Sequence, residues 1–564
     1  MTHNWRAVLA AVAVASLSFG AAAVQVEIGF SDTFRTGYYC PVRIFLSSEL
    51  RQTATALCVS HRTGNPWHGE ATNDVRVPLG SSAGQWIDTV VPIYDFAVPL
   101  EVRMLDDEDR VLDSAQVELR AGARSEPLIV TVGEFPHPVE PGAVAVNTEA
   151  LPRVWWGYEA LGTLWIGRVR EGLPHLAWEA ISRWVVAGGT VIVFGGADLP
   201  LVDSPGLRRL LPLVSPQLER REDGGYAVSG ELRAGADIPW TGADGLRLIT
   251  HTVGLGRLYL VTYDAASCDR DTLQEIAALV RAAAVPSLLE PTAELLLTLP
   301  LQTPGHAVAV GVLAASLAVL AAALFVVRRQ RRSVLVIVCG ALMLSVLSGL
   351  HANRTKQDVT TYGLETNVRI ISSVGSEIHC VGLYKTVSGM SSWTSPVVPR
   401  IERSPESLVA RYFDSRWTLG EGGEVEVNAG EDEYLISYSA VAPAIDVRFD
   451  GEKGVQIRSD LEETLGEAYV VLDERLYAIP GGVRPGDWEV SLGEGDTLAQ
   501  AWRSGGAWRT LRRRLGEDIV SRLASDRVWL VAVRWRTRVD LAPEERRKVS
   551  VADVTLVEGR GGTL

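Results

Sequence analysis

The segment at residues 173–196, LPHLAWEAISRWVVAGGTVIVFGG, contains the elements that decide the fold. Its first part predicts an amphipathic helix with an apolar stripe formed by Leu176, Ala180, Ile181 and Trp184. The pair Gly188-Gly189 then indicates the end of the helix. The run TVIVFGG that follows is nearly all apolar, as in strands that are buried on both faces of a parallel sheet. The segment therefore predicts a helix that leads into a central strand.

Similar signals lie on both sides of this segment. Short apolar runs occur at 127–133 (PLIVTVG) and 142–149 (GAVAVNTE), a further strand is indicated by GLGRLYLVTYDA at 254–265, and DTLQEIAALVRAAA at 271–284 has the pattern of a closing helix. A less regular insert separates these elements at about 200–245. Because strands alternate with helices, residues 126–290 are predicted to form a doubly wound α/β domain.

The region before this domain, residues 24–122, alternates apolar and polar residues between turn signals, which predicts a β-sandwich. It contains Cys40 and Cys58, which either form a disulfide or remain two buried thiols. The chain has five cysteines without metal-type spacing, so no metal site is expected. His61 and His68 are interpreted as surface histidines of a loop.

The region at 357–564 is also rich in strand patterns, and its turns are marked by Gly and Pro. It is expected to be an extracytoplasmic, mainly-β domain with one basic amphipathic helix at 498–524. That helix carries Trp502, Trp508 and several arginines, so it either lies on lipid headgroups or packs on the sheet with a solvated basic face.

Two uncharged apolar runs occur at 306–327 and 333–350. Each is long enough to cross a hydrocarbon core of ~30 Å as a helix. The short loop between them, 328–332, has four arginines, which predict a cytoplasmic loop because Lys and Arg stay on that side of a membrane. These topology determinants are Arg328, Arg329, Arg331 and Arg332. The expectation is a two-helix transmembrane hairpin.

Residues 1–23 have the pattern of a signal peptide, with Arg6, an apolar run and Ala21-Ala22-Ala23. Together with the hairpin, this pattern predicts a protein of the cytoplasmic (inner) membrane whose large domains are both extracytoplasmic. The formal net charge of −14 disfavours nucleic acid as a partner. The expected partners are therefore the membrane and other envelope proteins.

Several motifs resemble a known family. WWGYEALGTLWIG at 155–167, WVVAGGTVIVFGG at 184–196 and GLGRLYLVTYD at 254–264 look like the class I glutamine-amidotransferase-like, flavodoxin-like domain of exported bacterial membrane proteins. RTGYYCPVRIFLSS at 35–48 and AYVVLDERLYAIPGGVRPGDWEVSL at 468–492 resemble the β-domains on either side of it. The resemblance implies an amidotransferase-like domain between β-domains.

Polar residues follow several of the predicted strands, at the edge where open α/β sheets bind ligands. The candidate ligand rim consists of Glu134, His137, Glu149, Asp198 and Asp264. Any solvated loop edge has a similar composition, so this interpretation competes with a plain surface.

No catalytic residue is expected. Amidotransferase chemistry needs a nucleophilic cysteine on a tight strand-to-helix turn, with a histidine to accept its proton. Cys268, the cysteine of the α/β region, has no such context, and no G-x-S-x-G motif is present. Gly254-Leu255-Gly256 precedes a strand, so it is interpreted as a turn and not as a phosphate-binding loop.

These observations favour a non-catalytic, degenerate amidotransferase-like protein. It would be membrane-anchored in the cell envelope and would act as a scaffold or accessory subunit, without a cofactor. Two alternatives remain open: an envelope hydrolase or amidotransferase with an unrecognised site, and a solute-binding or transport-accessory component.

Overall fold

The computed structural model describes residues 24–280 and 361–559, apart from short segments within both ranges. The omitted segments are 48–51, 66–68, 80–85, 94, 170–171, 197–204, 223–224, 243, 373–375, 387–390, 395–399, 404–417, 420–423, 428–431, 441–444, 450–453, 461–463, 493–494, 504–506, 524–526 and 543–544. The described chain is mostly β, with a few short α-helices.

The N-terminal region consists of two sheets that pack face to face. Its strands are β1 (Val24–Ile28), β2 (Phe34–Arg35), β3 (Tyr38–Leu46), β4 (Ala56–Asn65), β5 (Gly69–Pro78), β6 (Trp86–Ile93), β7 (Leu100–Leu105), β8 (Val111–Val117) and β9 (Ala123–Arg124). One sheet has the order β1-β3-β6, the other β5-β4-β7-β8, and β2 pairs with β9. Inward side chains of both sheets, such as Val42, Ile44, Leu57 and Val102, share one apolar core.

Cys40 and Cys58 are both buried free thiols, so the disulfide alternative is wrong. Cys40 packs in the core between the two sheets, together with Leu57 and Val59 of β4. Because side chains alternate across a strand, Cys58, which lies between these two residues, points to the opposite face of its sheet. There its sulfur accepts from Arg103 Nη2 at 3.5 Å.

The central region is built on a seven-stranded sheet with the order β11-β10-β12-β13-β18-β17-β16. Its strands are β10 (Leu128–Val132), β11 (Val144–Val146), β12 (Leu161–Ile166), β13 (Thr190–Phe194), β16 (Ala236–Thr241), β17 (Arg247–Val253) and β18 (Gly256–Val261). The first five strands in the sheet order are parallel. Strand β17 pairs antiparallel with β18, and β16 pairs antiparallel with β17. A separate hairpin pairs β14 (Gln217–Arg220) with β15 (Tyr226–Ser229).

In the part of this region that the structure describes, three α-helices accompany the sheet: α1 (His175–Ala187), α2 (Pro205–Leu210) and α3 (Arg270–Leu279). Strand β13 is buried along its whole length, as the run TVIVF predicts. Its residues alternate between two cores: Val191 and Val193 pack with α1 on one face, while Ile192 and Phe194 pack with α3 on the other.

The flavodoxin-like, doubly wound description of this region is corrected by the structure. Among the described residues of the connections between the parallel strands, only that from β12 to β13 has an α-helix longer than one or two turns. Strand β11 is reached by a loop and left through two 3₁₀ helices, Thr148–Ala150 and Trp155–Tyr158. Residues 211–253 add the hairpin and the strands β16 and β17, because alternating polar and apolar residues suit strands better than a crossover helix.

The C-terminal region is dominated by a nine-stranded sheet with the order β22-β25-β20-β19-β33-β32-β28-β29-β31. Its strands are β19 (Thr361–Ile371), β20 (Ser376–Thr386), β22 (Arg400–Arg403), β25 (Asp432–Ala440), β28 (Glu467–Leu472), β29 (Arg475–Ile479), β31 (Asp496–Thr497), β32 (Trp529–Ala542) and β33 (Glu545–Glu558). Two further sheets are small: one is formed by β21 (Ser391–Thr394), β23 (Thr418–Leu419) and β24 (Glu424–Val427), the other by β26 (Ile445–Phe449), β27 (Gly454–Ser459) and β30 (Gly486–Ser491).

Where one basic helix was expected, the structure has α4 (Leu498–Arg503) and α5 (Ala507–Leu523). Gly516 has non-helical backbone angles and kinks α5. Trp508 is 3% exposed, and its ring lies 5.5 Å from that of Tyr469 on β28. Of the two interpretations of this helix, the structure therefore shows packing on the sheet, with Arg509 and Arg513 exposed.

The transmembrane hairpin is not supported, and neither is the inner-membrane location that was deduced from it. Among the described residues, no helix combines the length and the apolar character needed to cross a membrane. The longest, α5, has 17 residues and carries several arginines, whereas a spanning helix needs about 20 mostly apolar residues. The predicted spans at 306–327 and 333–350, with the arginines at 328–332, lie outside the described residues, as does the predicted signal peptide at 1–23.

A polar seam joins the central region to the C-terminal region. Arg522 of α5 donates from Nη1 to the carbonyl oxygen of Gly188 at 2.8 Å and to that of Leu255. Gly188 ends α1, where unpaired carbonyls favour a positive charge. Burial lowers the pKa of the Arg522 guanidinium to about 10, which leaves it charged at neutral pH. The C-terminal region thus caps a helix of the central region.

The seam continues at the turn between β17 and β18. Its Gly254 donates its backbone N–H to Glu558 Oε2 at 2.9 Å, and Glu558 also pairs with Arg527. An apolar core runs through the same boundary, with Trp184 and Ile181 of α1 in one cluster with Leu515 and Ile519 of α5. Central and C-terminal regions therefore share one core.

Candidate binding cleft

The carboxyl edge of the parallel strands is where the candidate rim was predicted. Glu134, His137 and Glu149 are exposed there, and Asp264 is half-buried. Asp198 lies outside the described residues. Strands β11 and β18 are the outer members of the parallel set, so Glu149 and Asp264 follow strands about 19 Å apart at ~4.8 Å per strand. The described rim residues are thus spread along an edge and do not converge on one small ligand.

Protein atoms fill the space beyond the end of β13. A Cβ atom added to Gly195 would lie 2.8 Å from both the Val228 side chain and the Thr262 carbonyl oxygen. One added to Gly196 would lie 2.7 Å from Cβ of Asp264. Strand β15 is held in place there by a hydrogen bond from Val228 N to Thr262 O at 2.8 Å. The edge position best suited to a nucleophile is therefore covered.

Asp264 stabilises the local backbone at this edge. Its Oδ1 accepts from the backbone N–H of Ala266 at 3.0 Å and so caps the 3₁₀ helix Ala265–Ser267. Cys268 follows this helix, is buried, and donates from Sγ to the Asp264 carbonyl oxygen at 3.6 Å.

The environment of Cys268 opposes ionisation. Burial raises the pKa of the Cys268 thiol to about 12, and the carboxylates of Asp244, Asp264 and Asp269 add to the effect. Because the thiolate is the reactive form of cysteine, a thiol with this pKa is a poor nucleophile at neutral pH.

Two buried histidines lie elsewhere in the described structure. His61, expected at the surface, is fully buried, and its Nε2 lies 2.9 Å from the carbonyl oxygen of Asp95. The reason for the error is that β4 is a central strand and not a loop. His251 on β17 is 4% exposed, and its Nδ1 lies 2.8 Å from the Leu210 carbonyl oxygen. His68 lies outside the described residues.

A cleft of about 730 Å³ opens beside the end of β18, between the β14–β15 hairpin and the segment that leads into β17. Its polar lining includes arginines and carboxylates in equal number: Glu219, Arg220, Arg221, Glu222, Asp244 and Arg247. Its apolar lining includes Leu213, Val228, Leu232, Ile238 and Ile249. The volume falls within the range typical of ligand sites.

One wall of the cleft is a fixed cluster of three side chains. The guanidinium of Arg221 lies over the ring of Tyr263 at 3.7 Å from its centroid, and its Nη2 is 3.7 Å from Asp244 Oδ2. The hydroxyl of Tyr263 donates to the carbonyl oxygen of Asp244 at 2.6 Å. The Arg221 side chain is only 20% exposed. A guanidinium that is already stacked and ion-paired loses little side-chain conformational entropy when a ligand binds.

Sequence reasoning missed this cleft, because the insert at about 200–245 was treated as irregular. A local signal was present: the run EDGGY at 222–226 places Asp-Gly-Gly between two short polar strands, which is a hairpin pattern. No local signal predicts that Tyr263 and Arg221 meet.

Within the part of the chain that the structure describes, no three His, Cys, Asp or Glu side chains are grouped to hold a metal ion.

Comparison with known proteins gives little guidance. No family model matches the chain, and no curated protein matches it. Among solved structures, it is similar to the exo-beta-1,4-mannosidase Op5Man5 from Opitutaceae bacterium strain TAV5, at 16% sequence identity and a TM-score of 0.18. The match covers 31% of this chain and 38% of the mannosidase, so the chain spans well under half of that protein. A similarity this low supports no conclusion about fold or activity.

Proposed function

We propose that the protein is a non-catalytic scaffold or accessory protein that binds a partner through its central region. The observation that carries the proposal is the state of the strand edge where an α/β enzyme would hold its nucleophile. Val228 and Asp264 cover the end of β13, and Cys268 is buried with a strongly raised pKa. Such an edge is suited to packing and not to covalent catalysis.

The resemblance to glutamine-amidotransferase-like domains fits this proposal if the central region is a degenerate relative. Catalysis in that family requires a reactive cysteine with a histidine in reach. Cys268 follows a 3₁₀ helix and not a strand, and its sulfur contacts a backbone carbonyl.

The contacts between the regions are a second observation that supports a scaffold role. Arg522 and Glu558 bind backbone groups of the central region, and the N-terminal region is attached as well, through Ser31 Oγ to Ala145 O at 2.7 Å and Arg153 to Asp88 at 3.0 Å. A scaffold needs fixed distances between its surfaces. At the C-terminal boundary the Glu558 carboxylate is buried, so breaking its contacts would leave polar groups unpaired. At the N-terminal boundary the polar contacts are exposed, but Phe30 and Tyr39 pack in one apolar core with Tyr158.

The test is affinity purification of the full chain from its native cells, at native abundance, as wild type and as Cys268→Ser. We expect at least one protein to co-purify in a stoichiometric amount with both forms, because the thiol takes no part in function. Loss of the partner from Cys268→Ser at normal abundance would contradict the proposal. So would the absence of any stoichiometric partner.

A further inference from the structure

We propose that the cleft beside β18 binds an extended peptide segment that carries both acidic and basic side chains. This inference rests on the proposed function, since the peptide would belong to the partner. It names the site of contact and the chemical class that the site recognises.

The charges of the lining indicate the ligand class. Arg220, Arg221 and Arg247 face the same cleft as Glu219, Glu222 and Asp244. Arg221 and Asp244 pair with each other at 3.7 Å, and Glu219 accepts from Ser229 Oγ. A simple anion in the cleft would still meet carboxylates, and a simple cation would still meet guanidinium groups. A ligand with charges of both signs at separate points can place each opposite its complement, and such complementarity gives specificity.

Apolar groups beside these charges favour a peptide over a small zwitterion as the ligand. Leu232 lines the cleft and is 40% exposed. Ile238, which also lines the cleft, is half-buried. Exposed apolar residues beside a charged cleft suit a ligand with apolar side chains as well as charges, and arginine is enriched in protein interfaces.

The size of the cleft and its open side are consistent with a peptide ligand. A cleft of about 730 Å³ matches a drug-sized ligand and exceeds the needs of a single free amino acid. The side chains on both of its sides, including Arg220, Glu222 and Arg247, are exposed, so a chain can enter and leave at the open side. The fixed Arg221–Tyr263 pair supplies a rigid wall between them.

The experiment measures binding of the purified full chain to an array of random octapeptides with blocked termini. Wild type should bind a subset that is enriched in peptides with both acidic and basic residues. Arg247→Glu should weaken binding to the acidic members of that subset by about tenfold or more, as expected for the loss of one charge-assisted hydrogen bond. The Arg247 side chain is exposed, and its backbone N–H donates to Thr262 Oγ1 at 2.9 Å, so the fold should tolerate a change of the side chain.

Arg120→Glu is the matched control, since it makes the same change on an exposed residue of the N-terminal region. It should leave the selected peptides unchanged, and the melting temperatures of both variants should equal that of wild type. Three outcomes would overturn the inference: no selected subset, a subset without charge preference, or a subset that Arg247→Glu does not alter. A rise in melting temperature with free amino acids in the absence of peptide binding would also overturn it, in favour of a small solute.

The two proposals fail separately. If a stoichiometric partner co-purifies but Arg247→Glu retains it and no peptides bind, the scaffold role stands and the cleft is excluded as the contact.

Discussion

Glu558 accepts a hydrogen bond from the backbone N–H of Gly254 at 2.9 Å, although 304 residues separate the two in the chain. The same carboxylate pairs with Arg527. One buried side chain therefore connects β33 of the C-terminal region to a turn of the central sheet. Substitution of this side chain tests whether the contact between the two regions stabilises the protein.

Glu558→Ala should lower the free energy of unfolding by about 3–5 kcal/mol, because it leaves the Arg527 charge and the Gly254 N–H buried without this acceptor. The Glu558 side chain is 5% exposed and that of Arg527 is 19% exposed, so solvent compensates little. Denaturant unfolding measures the change. Glu489→Ala, which removes an exposed carboxylate from β30, is the control and should have an effect within about 0.5 kcal/mol. Equal effects of the two substitutions would show that the seam contact is unimportant.

Gly254→Ala should destabilise the protein more than Gly37→Ala. Both glycines have positive φ, +58° and +81° respectively, so alanine is strained at either position. At Gly254 a Cβ atom would also lie 2.5 Å from the Val186 carbonyl oxygen, whereas nothing lies within 4 Å of it at Gly37. The difference between the two melting temperatures isolates the steric effect. If Gly37→Ala lowers the melting temperature as much as Gly254→Ala does, the close contact between this turn and α1 would be contradicted.

His251 should make stability depend on pH in a defined window. Burial lowers its pKa from about 6.5 to about 4 in the folded protein. Between these two values the unfolded chain binds a proton that the folded chain does not, so stability falls as the pH decreases through the window. The full effect is about 3 kcal/mol at 1.36 kcal/mol per pKa unit. His251→Asn keeps a donor for the Leu210 carbonyl and removes the titration.

The measurement for this prediction is the free energy of unfolding of wild type and His251→Asn at several pH values from 7 to 4. The slope for wild type should be the steeper one. Parallel curves would mean that His251 titrates normally in the folded protein.

Sequence reasoning succeeded where the local residue pattern alone determines the structure of a segment. The run TVIVF predicted a strand buried on both faces, and β13 is one; Gly254-Leu255-Gly256 was interpreted as a turn, and it connects β17 to β18. It failed where distant segments decide. Local patterns cannot show that Arg522 caps α1, that His61 lies in a central strand, or that a hairpin covers Gly195. The described residues of the candidate rim lie apart because each was placed by its own strand, while the strand order separates those strands.

The reactivity of Cys268 in the native protein tests the central claim most directly. The purified full chain is incubated at pH 7.5 with a glutamine-analogue electrophile, and the peptide that contains Cys268 is quantified by mass spectrometry before and after unfolding. With a pKa of about 12 and a buried sulfur, Cys268 should remain unmodified in the folded protein and react only once the chain is unfolded. Stoichiometric modification of Cys268 in the folded state would contradict the account and show a catalytic cysteine in the central region.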